Sequence, residues 1–397
     1  MHVIILGLGG MGHVTAHTVA KMDFVDRITV ADLNRQRTDS VAESIGNKAY
    51  AAQVDVTDQK RVTALFKDAD LILNSVGPFY RFGVPILESA IEAGTDYADI
   101  NDDWQPTQDM LRRHDRAQQA GITAIIGLGA SPGISNLLAA KASTYLDRVD
   151  NLLTGWDSLS AIDDSLPETD NPGAALIHWL HQTSGHIPLY QNGMLTRVKP
   201  LQEYRFHYPD YGHAVTWTVG HPEPLTLPSS IQGLEFSANV MTGSREMITL
   251  LQHTAHEIDS GRQEIDIAAT SFLNQLGENI EQLTQRTGDQ LPRLFAVAFG
   301  HRDGRATTVG ATLKSYPTGG MGGSTGIPLA LTAQLLNDGH LNKSGVYPPE
   351  GILQADQFFN ILAPYVEGHY DTGDDLVEIT QEARVDFSAV SNNAIVQ

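Results

Sequence analysis

Apolar residues run unbroken over positions 3–6 (VIIL), as in a strand covered on both faces. Beyond a glycine-rich bend, Val14, Thr15, Thr18, Val19 and Met22 recur at helical spacing. The alternation continues. Strands are predicted over 27–32 (RITVAD), 49–55 (AYAAQVD), 70–76 (DLILNSV), 97–101 (YADIN) and 122–128 (ITAIIGL). Between them lie predicted helices up to residue 67 with Thr57 as N-cap, over 83–93, and over 107–120. Strands alternating with helices in this way predict an α/β, doubly wound parallel sheet.

From about residue 151 the rhythm changes. Alternating, aromatic segments appear over 189–201, 203–208 and 213–219, and QNG carries a hairpin signal. Residues 294–313 predict two strands around Asp303-Gly304, and helical spacing covers 173–182, 244–258 and 266–286. Irregular mixing of this kind predicts an α+β domain with a mostly antiparallel sheet. GGMGGSTGIP then predicts a turn, followed by helices over 327–336 and 355–362. The last 30 residues are polar and acidic, with a weak strand pattern over 376–379.

The chain has 397 residues, enough for about two domains. Its 47 acidic and 26 basic residues leave a net charge of −21, which argues against a nucleic-acid partner. It contains no cysteine, which excludes disulfides, thiolate nucleophiles and iron–sulfur clusters. No apolar run approaches the length of a membrane span, and VIIL is too short for the core of a secretory leader. The expected location is cytoplasmic.

Gly7, Gly9 and Gly12 fall on the first strand-to-helix bend, the setting in which GxGxxG binds a dinucleotide. Gly7 permits the turn, Gly9 clears the approach of a pyrophosphate, and Gly12 lets helix and strand pack closely. The helix N-terminus supplies amides and a partial positive charge. Asp32 ends the second strand, placed to accept hydrogen bonds from the adenosine ribose, which favours NAD. Arg35 and Arg37 follow it and are able to hold a 2′-phosphate, so NADP stays open.

Ligands of such sheets lie beyond the carboxyl ends of the strands. Asp55-Val56 ends strand three, where Asp55 either touches adenine or caps the next helix. After strand four come Val76 and Gly77-Pro78, which let backbone lie beside the cofactor, then Phe79 or Tyr80 to cover a ring. Strand five supplies Tyr97, Asp99 and Asn101, and Ser131 reads as a helix cap.

GLGGMG, Asp32, NSVGPF, YADIN, GLGASPGISNLLA and STGIPLALTAQLLNDGHLNKSGVYPPE together resemble the saccharopine dehydrogenase-like oxidoreductases, a group that includes lysine 6-dehydrogenase and carboxynorspermidine-type enzymes. The resemblance runs to about Leu362, loosely in the middle. It implies a Rossmann domain over 1–130, an inserted substrate and dimerisation domain over 131–322, helices over 323–365 returning to the nucleotide domain, and a polar tail over 366–397. It further implies pyridine-nucleotide redox chemistry at a carbon–nitrogen bond of an amino acid or amine, and a homodimer. In this resemblance Gly7, Gly9, Gly10, Met11 and Gly12 hold the pyrophosphate, Asp32 the ribose, Asp55 and Val56 the adenine, and Val76-Gly77 the nicotinamide side.

Oxidising a carbon–nitrogen bond needs a proton acceptor for the amine, and an amino-acid substrate needs a cation for its carboxylate. Tyr97 and Asp99 are candidates near the nicotinamide, and Arg81 is a candidate carboxylate clamp. His221 and Glu223 are candidates from a proline-rich loop in the middle domain. His253, His256 and Glu257, like His178 and His181, lack a metal-binding arrangement and read as polar helix faces, so no metal is expected. The pairs Asp102-Asp103 and Asp163-Asp164 read as loop or capping residues. Two further readings stay open: a polyamine-forming reductase joining an amine to a semialdehyde, and a protein that binds NAD without turnover.

Overall fold

The computed structural model describes residues 1–159, 174–284 and 291–389. It divides into two compact units, one of Met1–Leu137 with Lys314–Leu376, the other of Leu138–Leu313 with Val377–Gln397. Asp163 and Asp164 lie outside the described residues.

The first unit begins with β1 (His2–Leu6), α1 (Gly10–Ala20), β2 (Arg27–Asp32), α2 (Arg35–Ile45), β3 (Ala49–Gln53) and α3 (Gln59–Phe66). It continues with β4 (Leu71–Asn74), α4 (Phe79–Ala93), β5 (Asp96–Asp99), α5 (Trp104–Leu111), α6 (His114–Ala120) and β6 (Thr123–Ile125), and α7 (Ile134–Ser143) carries the chain from the first unit into the second. All strand pairs are parallel, in the order β6-β5-β4-β1-β2-β3. Val3, Ile4, Ile5 and Leu6 are fully buried, as their unbroken apolar run demands. Each such side chain stabilises the fold by roughly 1.5–3 kcal/mol.

Thr57 is not the cap of α3. Asp58 is, accepting the Arg61 amide at 3.2 Å, while Thr57 donates from its amide and hydroxyl to Asp55. The helix expected over 107–120 is two helices, α5 and α6, broken at Arg113 (φ −87°, ψ 0°).

The second unit contains β7 (Arg148–Asp157), α8 (Ala174–Gln182), β8 (Ile187–Gln191), β9 (Met194–Val198), β10 (Glu203–Tyr208), β11 (Gly212–Thr218) and α9 (Glu223–Ser230). Then follow β12 (Phe236–Thr242), α10 (Arg245–Asp259), α11 (Ile265–Glu278), α12 (Ile280–Thr284), β13 (Leu294–Arg302) and β14 (Arg305–Leu313). Asn192-Gly193 joins β8 to β9, and Asp303-Gly304 joins β13 to β14. Both pairs have positive φ (52° and 75°; 49° and 72°), the twist that suits a two-residue hairpin. The sheet is mostly antiparallel, with β7 and β12 parallel to each other. One face carries Phe206, Tyr208, Phe295 and Phe299. Trp179, Leu180, Trp217, Met241 and Phe272 form a second core with α8, α10 and α11.

The chain then returns to the first unit with α13 (Gly320–Asn337) and β15 (Gly345–Tyr347), which pairs with β6 as a seventh parallel strand. The glycine-rich stretch expected as a turn is thus the first half of a long helix. Its glycines remove side chains where α13 meets α1: a Cβ at Gly326 would stand 2.5 Å from Met11 O, and Thr15 Oγ1 donates to Gly326 O at 3.0 Å. Within the segment read as a polar tail, β16 (Val377–Glu382) pairs with β14 and β17 (Phe387–Ala389) pairs with β10. These two strands are the outermost of the main path of the second sheet, beyond β14 at one end and β10 at the other.

Candidate active site

In the first sheet the strand order reverses between β1 and β4, so the loops after these two strands flank the crevice where ligands of such sheets bind. Gly7 has φ +85°, and a Cβ there would lie 2.9 Å from Val76 Cγ2. A Cβ at Gly12 would overlap Gly7 O. At Gly9 and Gly10, by contrast, a Cβ would meet nothing within 4 Å. Two glycines therefore serve the packing of the bend, and two leave bare main chain facing open space. Gly9 is the N-cap of α1, and Gly10 and Met11 open its first turn, whose amides have no partner within the helix.

Asp32 stands at the end of β2 with its carboxylate fixed from two sides. The Leu8 amide donates to Oδ2 at 2.8 Å and the Asn34 amide to Oδ1 at 2.9 Å. Arg37 Nη1 lies 3.6 Å from Oδ2, whereas Arg35 is engaged with Asp39. Asp55 is exposed, and the hydroxyl and amide of Thr57 hold its carboxyl below the usual range. Ser75 and Val76 lie directly beside Gly7, and a Cβ at Gly77 would meet nothing within 4 Å. Arg81 is exposed, its guanidinium 4.9 Å from the Phe82 ring.

Tyr97 and Asp99 do not face open space. They are 1% and 0% exposed, and Tyr97 donates to Asp99 Oδ2 at 2.8 Å. Asn74, at the end of β4, donates to the Tyr97 hydroxyl at 2.9 Å. Burial raises the Asp99 carboxyl to about 6, and burial together with Asp99 pushes Tyr97 well above its usual range.

The second unit holds its own buried polar cluster. His221 and Glu223 are 4% and 0% exposed, and Glu223 opens α9, so the expected loop is the start of a helix. His221 Nδ1 lies 3.6 Å from Glu223 Oε2, and its Nε2 is 3.1 Å from Gln182 Oε1. Asn239 Nδ2 donates to Glu223 Oε1 at 2.9 Å and to Thr154 Oγ1 at 3.0 Å. Its Oδ1 accepts from Trp156 Nε1 at 3.0 Å, and the Trp156 ring lies 5.7 Å from that of His221. Thr154 and Trp156 share one face of β7, and Asn239 sits opposite Thr154 on β12. Such a cluster beneath helices is an unusual use of a sheet face, since buried carboxylates are costly unless paired.

Asn74, Asn239, Trp156 and Gln182 were not candidates from sequence. A polar residue closing an apolar strand (LILN) or interrupting one (SANVM) is the signal that marks the two asparagines. Among the described residues no group of three or more His, Cys, Asp or Glu is arranged to hold a metal ion. None of the described helices is long and apolar enough to cross a membrane.

Residues 3–125 match the saccharopine dehydrogenase NADP binding domain. The chain is saccharopine dehydrogenase-like. Its first unit is an NAD(P)-binding domain, and the open main chain at Gly9 and Gly10 fits that group. This saccharopine dehydrogenase-like chain is 24% identical over 387 residues to carboxyaminopropylagmatine dehydrogenase from Synechocystis, covering 88% of this chain and 92% of that relative. It is 30% identical over 175 residues to carboxynorspermidine synthase from Vibrio cholerae, covering 38% and 42% of the two chains. Apo saccharopine dehydrogenase (L-Glu forming) from Saccharomyces cerevisiae shares the fold, with a TM-score of 0.65 at 16% identity over 96% of this chain and 100% of that one.

Proposed function

We propose that the protein is an NAD(P)-dependent oxidoreductase acting at a carbon–nitrogen bond of an amino acid or amine, lysine- or saccharopine-like. The observation that carries this reading is the division of labour among the four glycines, packed at Gly7 and Gly12 and open at Gly9 and Gly10, with Asp32 fixed beside them. In this reading Gly9, Gly10 and Met11 present amides to the pyrophosphate, and Asp32 accepts from the ribose. Asp55 and Val56 lie along the adenine, and Val76-Gly77 along the nicotinamide. The bound coenzyme supplies the hydride acceptor or donor.

His221 and Glu223 are the proposed proton-handling pair of the second unit. An imidazole and a carboxylate 3.6 Å apart in a buried cluster are the residue types that accept an amine proton. Arg81 is the proposed partner of a substrate carboxylate.

A second reading, a polyamine-forming reductase, is favoured by the likeness to carboxyaminopropylagmatine dehydrogenase along nearly the whole chain. Cytoplasmic location, a homodimer and a preference for NAD complete the proposal. The test is a screen of lysine, saccharopine, other amino acids, diamines and carboxylated polyamines with NAD and NADP, following absorbance of the reduced coenzyme. Turnover with a polyamine but no amino acid selects the second reading. Coenzyme binding with no turnover of any amine leaves a binding protein and overturns both.

A further inference from the structure

Three buried side chains beneath the ends of β4 and β5 form one continuous chain of hydrogen bonds. Asn74 Oδ1 accepts from the Val76 amide at 3.0 Å, and Asn74 Nδ2 donates to the Tyr97 hydroxyl at 2.9 Å. Tyr97 donates to Asp99 Oδ2 at 2.8 Å. Asp99 Oδ1 accepts from the amides of Gly127 and Asn101 at 2.8 and 3.0 Å. The chain therefore runs from the loop after β6, across β5, to the backbone that follows β4. That backbone rests on the glycine bend: Ser75 Oγ donates to Gly7 O at 2.9 Å, and Val76 Cγ2 fills the space where Gly7 has no side chain.

We infer that Asn74, Tyr97 and Asp99 are positioning residues that set Val76-Gly77 against the nucleotide cradle, and that the ionised Asp99 carboxylate holds the set in place. The inference rests on the coenzyme-binding reading above. Counting hydrogens gives its basis. With Asp99 ionised, the Tyr97 hydroxyl hydrogen has Asp99 Oδ2 as its acceptor, and the Tyr97 oxygen accepts one hydrogen from Asn74 Nδ2. A proton arriving on Asp99 goes to Oδ2, because two amides already occupy Oδ1. Tyr97 then faces a donor. Its oxygen is left accepting from both Asn74 and Asp99, and its own hydrogen loses its acceptor inside the fold. A stranded buried donor costs as much as its desolvation, so the arrangement around Asn74 and Val76 loosens.

Burial places this change within an accessible range by lifting the Asp99 carboxyl to about 6, against the hydrogen bonds from Gly127, Asn101 and Tyr97. The other ionisable groups acting on it are Tyr97, which stays protonated, and Asp102, whose charge pushes the carboxyl further up.

The test titrates NADH and NADPH into wild type, Tyr97→Phe and Asp99→Asn by coenzyme fluorescence, from about pH 5 to about pH 7.5, bracketing the Asp99 titration. Asp99→Asn mimics the protonated acid, because its amide nitrogen also donates toward Tyr97. Expected is a wild-type affinity that weakens about fivefold toward the acid end, the size of one lost hydrogen bond. Asp99→Asn should sit at the acid-limit value at every pH, and Tyr97→Phe should be weak and equally flat. Variant-to-wild-type ratios cancel any titration of the ligand's own phosphate. Wild type that binds with no such profile, or variants that follow it unchanged, overturn the relay. If a variant fails to fold, the wild-type profile still decides. Wild type that binds neither coenzyme overturns the functional reading instead.

Discussion

Arg37 holds its Nη1 3.6 Å from the Oδ2 of Asp32, the carboxylate that also receives the Leu8 amide. Arg37 is half exposed, so the pair adds little to stability, on the order of 0–1 kcal/mol. Its consequence lies in coenzyme choice. On the proposed reading Asp32 accepts from the ribose hydroxyls, and Arg37 beside it would offset the repulsion of a 2′-phosphate. Asp32→Ala should weaken NAD at least tenfold, by removing the ribose acceptor and the anchor of Leu8 and Asn34. Arg37→Ala should weaken NADP several-fold and leave NAD within about twofold. Parallel titrations with both coenzymes read these outcomes, and an unchanged NAD affinity in Asp32→Ala removes Asp32 from the ribose.

The glycines separate packing from binding. Gly12→Ala forces a methyl onto Gly7 O and should cost about 1–3 kcal/mol of stability together with the coenzyme site. Gly10→Ala meets open space, so its thermal midpoint should match wild type while coenzyme affinity falls. Calorimetry alongside coenzyme titration checks both, and equal affinity in Gly10→Ala would mean that the pyrophosphate lies elsewhere.

In the second unit, Glu223→Gln keeps the shape of the buried cluster and removes its carboxylate. Turnover should fall by about 10² or more, the size of a lost general acid–base group, with coenzyme affinity unchanged. Asn239→Leu should be worse for folding, because it strips hydrogen bonds from Glu223, Thr154 and Trp156 together. Its expected cost is about 1–3 kcal/mol. Steady-state rates and denaturant midpoints distinguish the two effects, and a fully active Glu223→Gln enzyme excludes this carboxylate from proton transfer.

Asp99 makes a stability prediction of definite sign. Its folded pKa, about 6, lies above the ordinary carboxylate value of 3.8, so the fold favours the protonated acid. The stability it contributes is present below pH 4 and lost as pH rises through about 6, by roughly 3 kcal/mol. The difference in unfolding free energy between wild type and Asp99→Asn should therefore fall by about that amount across this window. A flat difference would place Asp99 in contact with water. The ionised form that orders Val76 is thus the one that costs stability, a common trade at functional sites.

Much of the first unit was legible in the sequence because its central strands are covered on both faces and read as unbroken apolar runs. β15 leaves no mark in the sequence because three residues, Gly345–Tyr347, carry no period. The start of α13 has the pattern of a turn because its glycines, which usually break helices, are there to admit α1. In the second unit the hairpin turns were visible in Asn192-Gly193 and Asp303-Gly304, whereas β7 was hidden by Asp150, Asn151 and Thr154. Tyr97 and Asp99 were found as a pair at a strand end. Which way they point depended on Asn74 and Gly127, residues 20 to 30 positions away, and no local pattern carries that information.

The most direct measurement is an equilibrium titration of the purified protein with NADH and with NADPH, followed by coenzyme fluorescence. Saturable binding of at least one of them is expected, with a dissociation constant of about 1 μM to 1 mM, and with loss of that binding in Gly12→Ala. No saturable change with either coenzyme would contradict the account at its base.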